Sequence, residues 1–477
     1  MNTKNVDVAI IGAGSAGLNA RREVEKAGGS WVLIESGAYG TTCARVGCMP
    51  SKLLIAAADV AHQVSNAGKF GIQAQNFSID GEAVLSRVRN ERDRFVGFVV
   101  EDTRALPEEH RVIGHARFVG ATILDVDGHT RINAKSVVIA TGSSPYISAP
   151  YDTIREHVMV NDDVFSLQSL PQSIAVIGTG IIGLEIGIAL TRLGVRTAIF
   201  SASGRLGPFT DPALKTTVAD ILGAELDLRL STSINQAEFS QDKIVLNWSD
   251  RETGHHTETF DKILVAAGRR PNIFDLNLEA AGVMLDDHGR LDWNPQTTQI
   301  GNLPIFVAGD ASGHRPLLHE ASDEGRIAGS NSMLYPNVRS HVRRTPLAIA
   351  FTDPQMALFG KTFAELDVDS LAIGEINYAS QGRARVMGEN KGLVRLYADR
   401  RNCQLVGGEM LGPRVEHTAH LLAWATQQQM TVQKLLEMPF YHPVIEEGIR
   451  TALRDLADKL KVTGDCRCED MAEAPGT

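Results

Sequence analysis

Two cysteines and one histidine carry the chemistry available to this sequence. Cys43 and Cys48 stand five apart in the stretch Gly40-Thr-Thr-Cys-Ala-Arg-Val-Gly-Cys-Met-Pro-Ser-Lys52. One helical turn brings thiols at that spacing to bonding distance, so the pair can open and close a disulfide. Pro50 and Ser51 suit a turn into an apolar helix over residues 53–60, and the positive end of its dipole favours thiolate, the reactive form. Lys52 adds a fixed positive charge. Spacing alone leaves a plainer alternative, two unpaired core cysteines. The second feature is His442, followed by Pro443 and Glu447. A thiol must lose its proton before attacking a disulfide, and an imidazole with a pKa near ~6.5 takes it at neutral pH. A carboxylate orients and charges such a ring; without context a lone histidine reads as a packed or solvated side chain.

Those groups need a scaffold, and the bulk composition bounds it. The 477 residues correspond to roughly three domains of ~150 residues. A hydrophobic share of 43% with 44 glycines describes an α/β protein rich in tight turns. The net charge of -10 argues against a general nucleic-acid binder and suits an enzyme with local positive sites for anionic ligands. Five cysteines are too few for a secreted disulfide scaffold, so a reducing compartment is expected and a close pair there reads as catalytic. Residues 1–7 show no charged-then-apolar signal pattern, and no apolar run reaches ~18 residues. The expected location is cytoplasmic, with no membrane or nucleic-acid partner. No metal site is expected.

Along the chain, an apolar strand over residues 6–11 stops at Gly12-Ala-Gly-Ser-Ala-Gly17, and a helix follows over 18–27. Strand, GxGxxG and helix form a dinucleotide fingerprint: Gly12 makes the turn, Gly14 admits a pyrophosphate, and Gly17 lets helix and strand approach. The next strand, 31–34, leads into Glu35, placed about 20 residues on, where a carboxylate accepts hydrogen bonds from ribose hydroxyls. Residues 81–106 read as a long amphipathic helix, and a strand over 136–140 ends in Thr141-Gly142. A second fingerprint, Gly178-Thr-Gly-Ile-Ile-Gly183, follows a strand over 173–177, with its helix running through Leu193. Its glycines Gly178, Gly180 and Gly183 repeat the same geometry, so the chain binds two nucleotides. Two dinucleotides beside a thiol pair imply a flavin between nicotinamide and disulfide. A third stretch holds a strand over 303–307 ending at Asp310. Beyond Pro346, strands over 348–351, 392–397 and 405–410 and a helix over 415–428 lack any glycine-rich loop, which reads as an assembly domain.

With these residues in hand, the sequence resembles the flavin-dependent pyridine nucleotide-disulfide oxidoreductases, most closely the dihydrolipoamide dehydrogenase branch. The likeness runs from Asp7 to about Lys461 and is carried by both fingerprints, Cys43 to Lys52, Ala140-Thr-Gly142, Glu185, Ala267-Gly-Arg-Arg-Pro-Asn272, Ala308-Gly-Asp310, Phe351-Thr-Asp-Pro354, and His442-Pro443 with Glu447. It implies an α/β fold with two Rossmann-like dinucleotide-binding domains and a C-terminal α+β dimerisation domain. The implied parts are an FAD-binding domain over 1–150, an NAD(P)-binding domain over 151–271, a second FAD or central part over 272–345, a dimerisation domain over 346–466 and a flexible tail over 467–477. FAD would be held by Gly12, Gly14, Ser15, Gly17, Glu35, Thr42, Lys52, Thr141, Gly142 and Asp310, and the nicotinamide nucleotide by Gly178, Gly180, Gly183 and Gly268. The implied catalytic set is Cys43, Cys48, His442, Glu447, Lys52 and Glu185. Lys52 would pair with Glu185 beside the flavin ring, and the histidine of one subunit of a homodimer would serve the cysteines of the other. The implied reaction is oxidation of dihydrolipoamide, or of lipoyl groups on a protein, by NAD+.

Several positions depart from that pattern. The family often has Gly-Gly-Thr-Cys and an asparagine between the cysteines, where this chain has Thr41 and Arg45; Arg45 either favours the thiolate further or is a solvated turn residue. A second histidine two residues before the base is replaced by Phe440. The second fingerprint lacks the usual acid for an NAD ribose and runs into Ser201-Ala-Ser-Gly-Arg205, where Arg205 suits a 2'-phosphate. Gly183, often alanine in glutathione reductase-like relatives, points the other way, and NAD is the expected nucleotide with NADP admitted. Arg21-Arg22 and the tail pair Cys466 and Cys468 admit a second reading, an NADPH-dependent disulfide or metal-ion reductase of the glutathione or mercuric reductase kind. Two exposed arginines and an incidental terminal pair are the plainer accounts of those residues. A docking subunit of a 2-oxoacid dehydrogenase complex is a third reading.

Overall fold

A computed structural model of the chain describes every residue except 75, 252 and 462–477. Residues 2–11 contain the unbroken apolar run that a strand buried on both faces requires, and Val8, Ala9 and Ile10 have no exposed surface. That strand, Asn2–Ile11, lies parallel between Trp31–Glu35 and Thr130–Ile139. Arg111–Ile113 extends the sheet beyond Trp31–Glu35, while Ala116–Gly120 and Ile123–Val126 fold against Thr130–Ile139 as an antiparallel meander. The helix Ser15–Lys26 packs on the sheet, beginning three residues earlier than the sequence pattern suggests because Gly14 already serves as its N-cap.

The seventh strand of this sheet comes from far along the chain. Ile305–Val307 pairs in parallel with Thr130–Ile139, so the chain leaves the first unit and returns to it. A two-stranded ribbon, Ser143–Pro145 against Arg269–Pro271, joins the outgoing and returning segments. Between them lies a parallel five-stranded sheet ordered Asp227–Leu230, Arg196–Ser201, Ser173–Ile177, Lys262–Val265, Val158–Met159, accompanied by a three-stranded antiparallel sheet. A further, antiparallel sheet of five strands spans Leu347–Ala350 to Leu405–Gly412, with the helices Val415–Gln427 and Glu447–Lys461 packed on it. The chain is thus α/β in its first two units and α+β in its last.

Two buried carboxylates lock the last unit to the central one. Asp211, fully buried, caps the helix Pro212–Gly223 through the Ala213 amide at 2.9 Å and accepts from Arg395 at 2.6 Å and the Tyr397 hydroxyl at 2.9 Å. Glu409, also fully buried, accepts from the amides of Thr210, Asp211 and Phe363 at 2.9, 3.0 and 3.0 Å. Burying a charge costs several kcal/mol unless such partners replace water. Asp211→Ala strips Arg395 of that carboxylate and the Tyr397 hydroxyl of its acceptor, so a loss of about 3 kcal/mol is expected in urea unfolding; a loss below about 0.5 kcal/mol would show that the contact does not hold the units together.

Candidate active site

The redox pair sits where two helices meet. Cys43 lies in a short helical segment, Thr42–Val46, and Cys48 is the first residue of the long helix Cys48–Asn66. That helix starts five residues before the span the sequence suggests, because Pro50 is accommodated in a first turn whose amides need no intrahelical partner. Both thiols are free and hydrogen-bonded to each other, the dithiol form of the pair. Their environments separate them: the Cys43 hydrogen bond, followed by the Lys52 charge and the Cys48 amide, overcomes burial and pulls the Cys48 thiol down to about 6. Cys43 is pushed strongly up by sharing its proton with Cys48 and by burial. One residue is the ready thiolate, and the other holds the proton.

Lys52, one turn along the same helix, donates to Glu185 at 2.7 Å. Glu185 is buried on the second fingerprint helix, Ile181–Arg192, and its other oxygen accepts from the Phe351 amide at 2.8 Å. The ammonium also stands 4.6 Å from the centre of the Phe351 ring. Three separate stretches therefore fix the charge that faces Cys48. Arg45 does not join them. Its guanidinium donates to the Ala38 carbonyl at 3.2 Å, on the loop that leads into the cysteine pair.

Beside the pair a cleft of about 230 Å³ is lined by Gly12, Gly14, Glu35, Thr42, Thr141 and Gly142 among others. A side chain at Gly12 would meet the Ala140 carbonyl at 2.3 Å and one at Gly17 the Gly12 carbonyl at 1.9 Å, whereas Gly14 faces open space. Ser15 opens a helix with no acid in its first turn, which suits an anionic ligand at its N-terminus. Glu35 accepts from the amides of Ala13 and Gly37, both at 2.8 Å. The Thr141 hydroxyl is buried in this cleft with no partner among the described residues. These features fit the pyrophosphate and ribose of a dinucleotide.

Asp310 is held by a chain of hydrogen bonds. The Ser143 hydroxyl donates to it at 2.7 Å, and Arg269 in turn donates to the Ser143 hydroxyl and carbonyl at 2.8 and 2.6 Å. Arg269 also reaches Asn161 at 3.3 Å, whose amide donates to the Val46 carbonyl between the two cysteines at 3.1 Å. Sequence reasoning assigned no role to Ser143, Asn161 or Arg269. Ser143 and Arg269 adjoin the motif residues Gly142 and Gly268, a usable signal; Asn161 had none, because its contact depends on how distant strands cross.

In the second fingerprint, side chains at Gly178 and Gly183 would collide with the carbonyls of Ala266 and Gly178 at 2.5 and 2.0 Å, while Gly180 and Gly268 face open space. Gly183 thus answers a packing need like that of Gly17. The Thr179 hydroxyl bonds to the Arg205 carbonyl, which sets the loop after Arg196–Ser201 against the fingerprint turn. The Arg205 side chain is exposed there without an ion pair among the described residues.

His442 hydrogen-bonds through Nδ1 to both oxygens of Glu447, at 3.0 and 3.1 Å. Its side chain is 81% exposed, so proton exchange falls to Nε2. Glu447, at the start of the helix Glu447–Lys461, is held below the usual carboxylate range by that hydrogen bond and also contacts Arg450 at 3.2 Å. Phe440 stands at 5.6 Å from the Arg450 guanidinium. Cys466 and Cys468 lie outside the described residues. Among the described residues there is no cluster of three or more metal-ligating side chains, and no helix long and apolar enough to cross a membrane.

Residues 6–325 match the pyridine nucleotide-disulphide oxidoreductase family, and residues 347–453 match its dimerisation domain. The chain belongs to this family. A dihydrolipoyl dehydrogenase of Bacillus subtilis is 30% identical over 460 residues, spanning 94% of this chain and 97% of its own. One from Chlamydia muridarum is 28% identical over 452 residues, spanning 92% and 94%. The fold is also that of the HOCl-induced flavoprotein disulfide reductase RclA from Escherichia coli, solved as a Cu(II) complex, with a TM-score of 0.78 at 22% identity over 97% of this chain and 100% of that one. Membership of the family implies FAD and a pyridine nucleotide.

In the reduced protein, iodoacetamide is expected to label Cys48 first, with a midpoint at about pH 6. Lys52→Met should raise that midpoint by about one unit, since the thiolate loses its nearest cation. An unshifted midpoint in that variant would remove Lys52 from the account of the thiolate.

Proposed function

We propose that this protein is an FAD-dependent dithiol-disulfide oxidoreductase that oxidises a dithiol of the dihydrolipoamide class, free or carried on a lipoyl-bearing protein, with a nicotinamide dinucleotide as acceptor. The observation that carries it is the unequal thiol pair: Cys48 is poised as the thiolate beside Lys52, and Cys43 as the proton-holding partner. The names of the relatives at 28–30% identity support the dithiol class.

The proposed cycle starts with Cys43 and Cys48 joined. His442 of the partner subunit takes the proton of one substrate thiol at Nε2, and Glu447 steadies the resulting imidazolium through Nδ1. The substrate thiolate attacks the Cys43 sulfur, the bond between the cysteines breaks, and Cys48 departs as a thiolate stabilised by Lys52. The second substrate thiol, giving its proton to water, then attacks the first substrate sulfur, closing the product disulfide, and Cys43 leaves with the proton returned from the imidazolium. When bound, FAD supplies the two-electron oxidation that rejoins the cysteines and delivers the electrons to the nicotinamide. The exposed His442 and the matched dimerisation domain support a homodimer, since such a base must reach a thiol pair to act.

Cys43→Ser is expected to abolish dihydrolipoamide oxidation while the purified protein keeps its flavin colour, and Glu447→Gln to lower kcat about 10- to 100-fold. Full activity in Cys43→Ser would refute the assignment.

One observation favours a second reading in the reductive direction. The loop after Arg196–Ser201 offers Ser203 and Arg205 and no carboxylate, so a 2'-phosphate meets no repulsion there. An NADPH-driven reductase of disulfides or metal ions would use the same sulfurs in reverse. With NAD+ the expected acceptor, kcat/KM for NADPH is nevertheless expected within about tenfold of that for NADH, a difference of about 1.4 kcal/mol. A preference for NADH above about a hundredfold would exclude the reductive reading, and NADPH-dependent turnover of glutathione disulfide or Cu(II) in place of lipoamide would establish it.

A further inference from the structure

Resting on the assignment of FAD to the first unit, we propose that Arg45 is a dinucleotide-binding residue whose guanidinium engages the pyrophosphate of that cofactor. The position falls between the cysteines in sequence, where relatives often carry an uncharged asparagine. In space it belongs to the other side of the segment: Arg45 lines the same cleft as Gly12, Gly14, Glu35 and Thr42.

The side chain is held in that direction. Gly40 adopts φ +118°, and a Cβ there would lie 3.1 Å from Arg45 Cδ, so the arginine stem packs along bare glycine backbone. The donor to the Ala38 carbonyl fixes one edge of the guanidinium. Among the described residues no carboxylate lies within ion-pair distance of it, although Asp162 feels its charge from farther off, and of its five N–H groups one is engaged by the Ala38 carbonyl. An arginine with spare donors inside a cleft is a bidentate receptor for phosphate oxygens.

The other walls suit the same ligand. Gly14 caps a helix whose first-turn amides carry partial positive charge, and no acid in that turn cancels it. The cleft's carboxylates are Glu35, whose oxygens accept from the Ala13 and Gly37 amides, and Asp275; His115 is its other titratable group. The unpartnered Thr141 hydroxyl is a further polar atom awaiting a ligand. The competing role for Arg45, tuning the cysteines, is filled without it: the Cys43 hydrogen bond, Lys52 and the Cys48 amide account for the lowered Cys48 thiol.

The test compares the full-length protein with Arg45→Asn and Arg45→Lys, reading the FAD dissociation constant by flavin fluorescence at low and high salt. Melting of each apoprotein and the pH midpoint of Cys48 alkylation are read alongside. Arg45→Asn is expected to weaken FAD about tenfold and to flatten its salt dependence, Arg45→Lys to recover most of both, and the apoprotein melting and Cys48 midpoint to stay in place. Unchanged FAD affinity and salt dependence in Arg45→Asn would overturn the inference, as would a shifted Cys48 midpoint with affinity intact, or a loss of affinity matched by a fall in apoprotein melting. Wild-type protein that binds no FAD would instead overturn the reading of the site, and this inference with it.

Discussion

The Lys52 to Glu185 contact is the point on which the site depends. A carboxylate only 4% exposed survives burial because both its oxygens are engaged, one by an ammonium and one by the Phe351 amide. The three partners come from the cysteine helix, the second fingerprint helix and the entry to the last unit. A single ion pair therefore sets the angle between the helices, places a cation beside Cys48, and ties the thiol chemistry to the unit expected to hold the nicotinamide. Glu185 works against the thiolate by its own charge, yet it fixes the lysine whose charge works for it. The pair is a compromise between a neutral, packable interior and a cation where sulfur must ionise.

Around that contact, the two fingerprint units obey one steric rule. In each, a Cβ on the first or third glycine would lie 1.9–2.5 Å from a backbone carbonyl oxygen, and the middle glycine opens onto space. Two of the three glycines are thus demanded by the strand-turn-helix itself, and one by whatever binds. The same rule reaches the partner helix Leu318–Leu334, whose Gly325 and Gly329 lie against the backbone of Ala16 and Ala20. That close packing brings Glu324, fully buried, to the Gly309 amide at 2.8 Å, just before Asp310. Helix packing and cofactor-site geometry are in this region a single arrangement.

Thr41 marks a local tension. Its φ of +57° lies in the left-handed region that glycine favours, and a β-branched residue there stores about 1–3 kcal/mol of strain. The side chain offsets part of this by accepting the Ala44 amide at 3.4 Å, which caps the short helix bearing Cys43. A rigid entrance to the cysteine pair is obtained at a cost in backbone comfort.

Much of this was legible in the chain. Apolar runs ending in GxGxxG determined both dinucleotide units, because burial on two faces and tight turns each leave a residue signature. The cysteine spacing and the His442 to Glu447 interval are local; the two thiols meet across a break at Gly47 between two helices rather than within one helical turn, and His442 reaches Glu447 from the turn that precedes the helix Glu447–Lys461. Asp80 likewise opens the long helix Gly81–Arg104 at the residue expected. What tertiary structure alone decided are contacts between segments more than a hundred residues apart: Asn161 on Val46, Arg269 on Ser143 and the return of Ile305–Val307 to the first sheet; the equally distant Lys52 to Glu185 contact was expected from the family resemblance. Tertiary structure also added to two local readings, turning the Arg45 guanidinium to the Ala38 carbonyl and showing the packing that Gly183 answers. A residue's type states which interactions it can make. Which of them it makes is chosen by the direction in which the folded backbone points it, and that direction is set by strands crossing far from its place in the sequence.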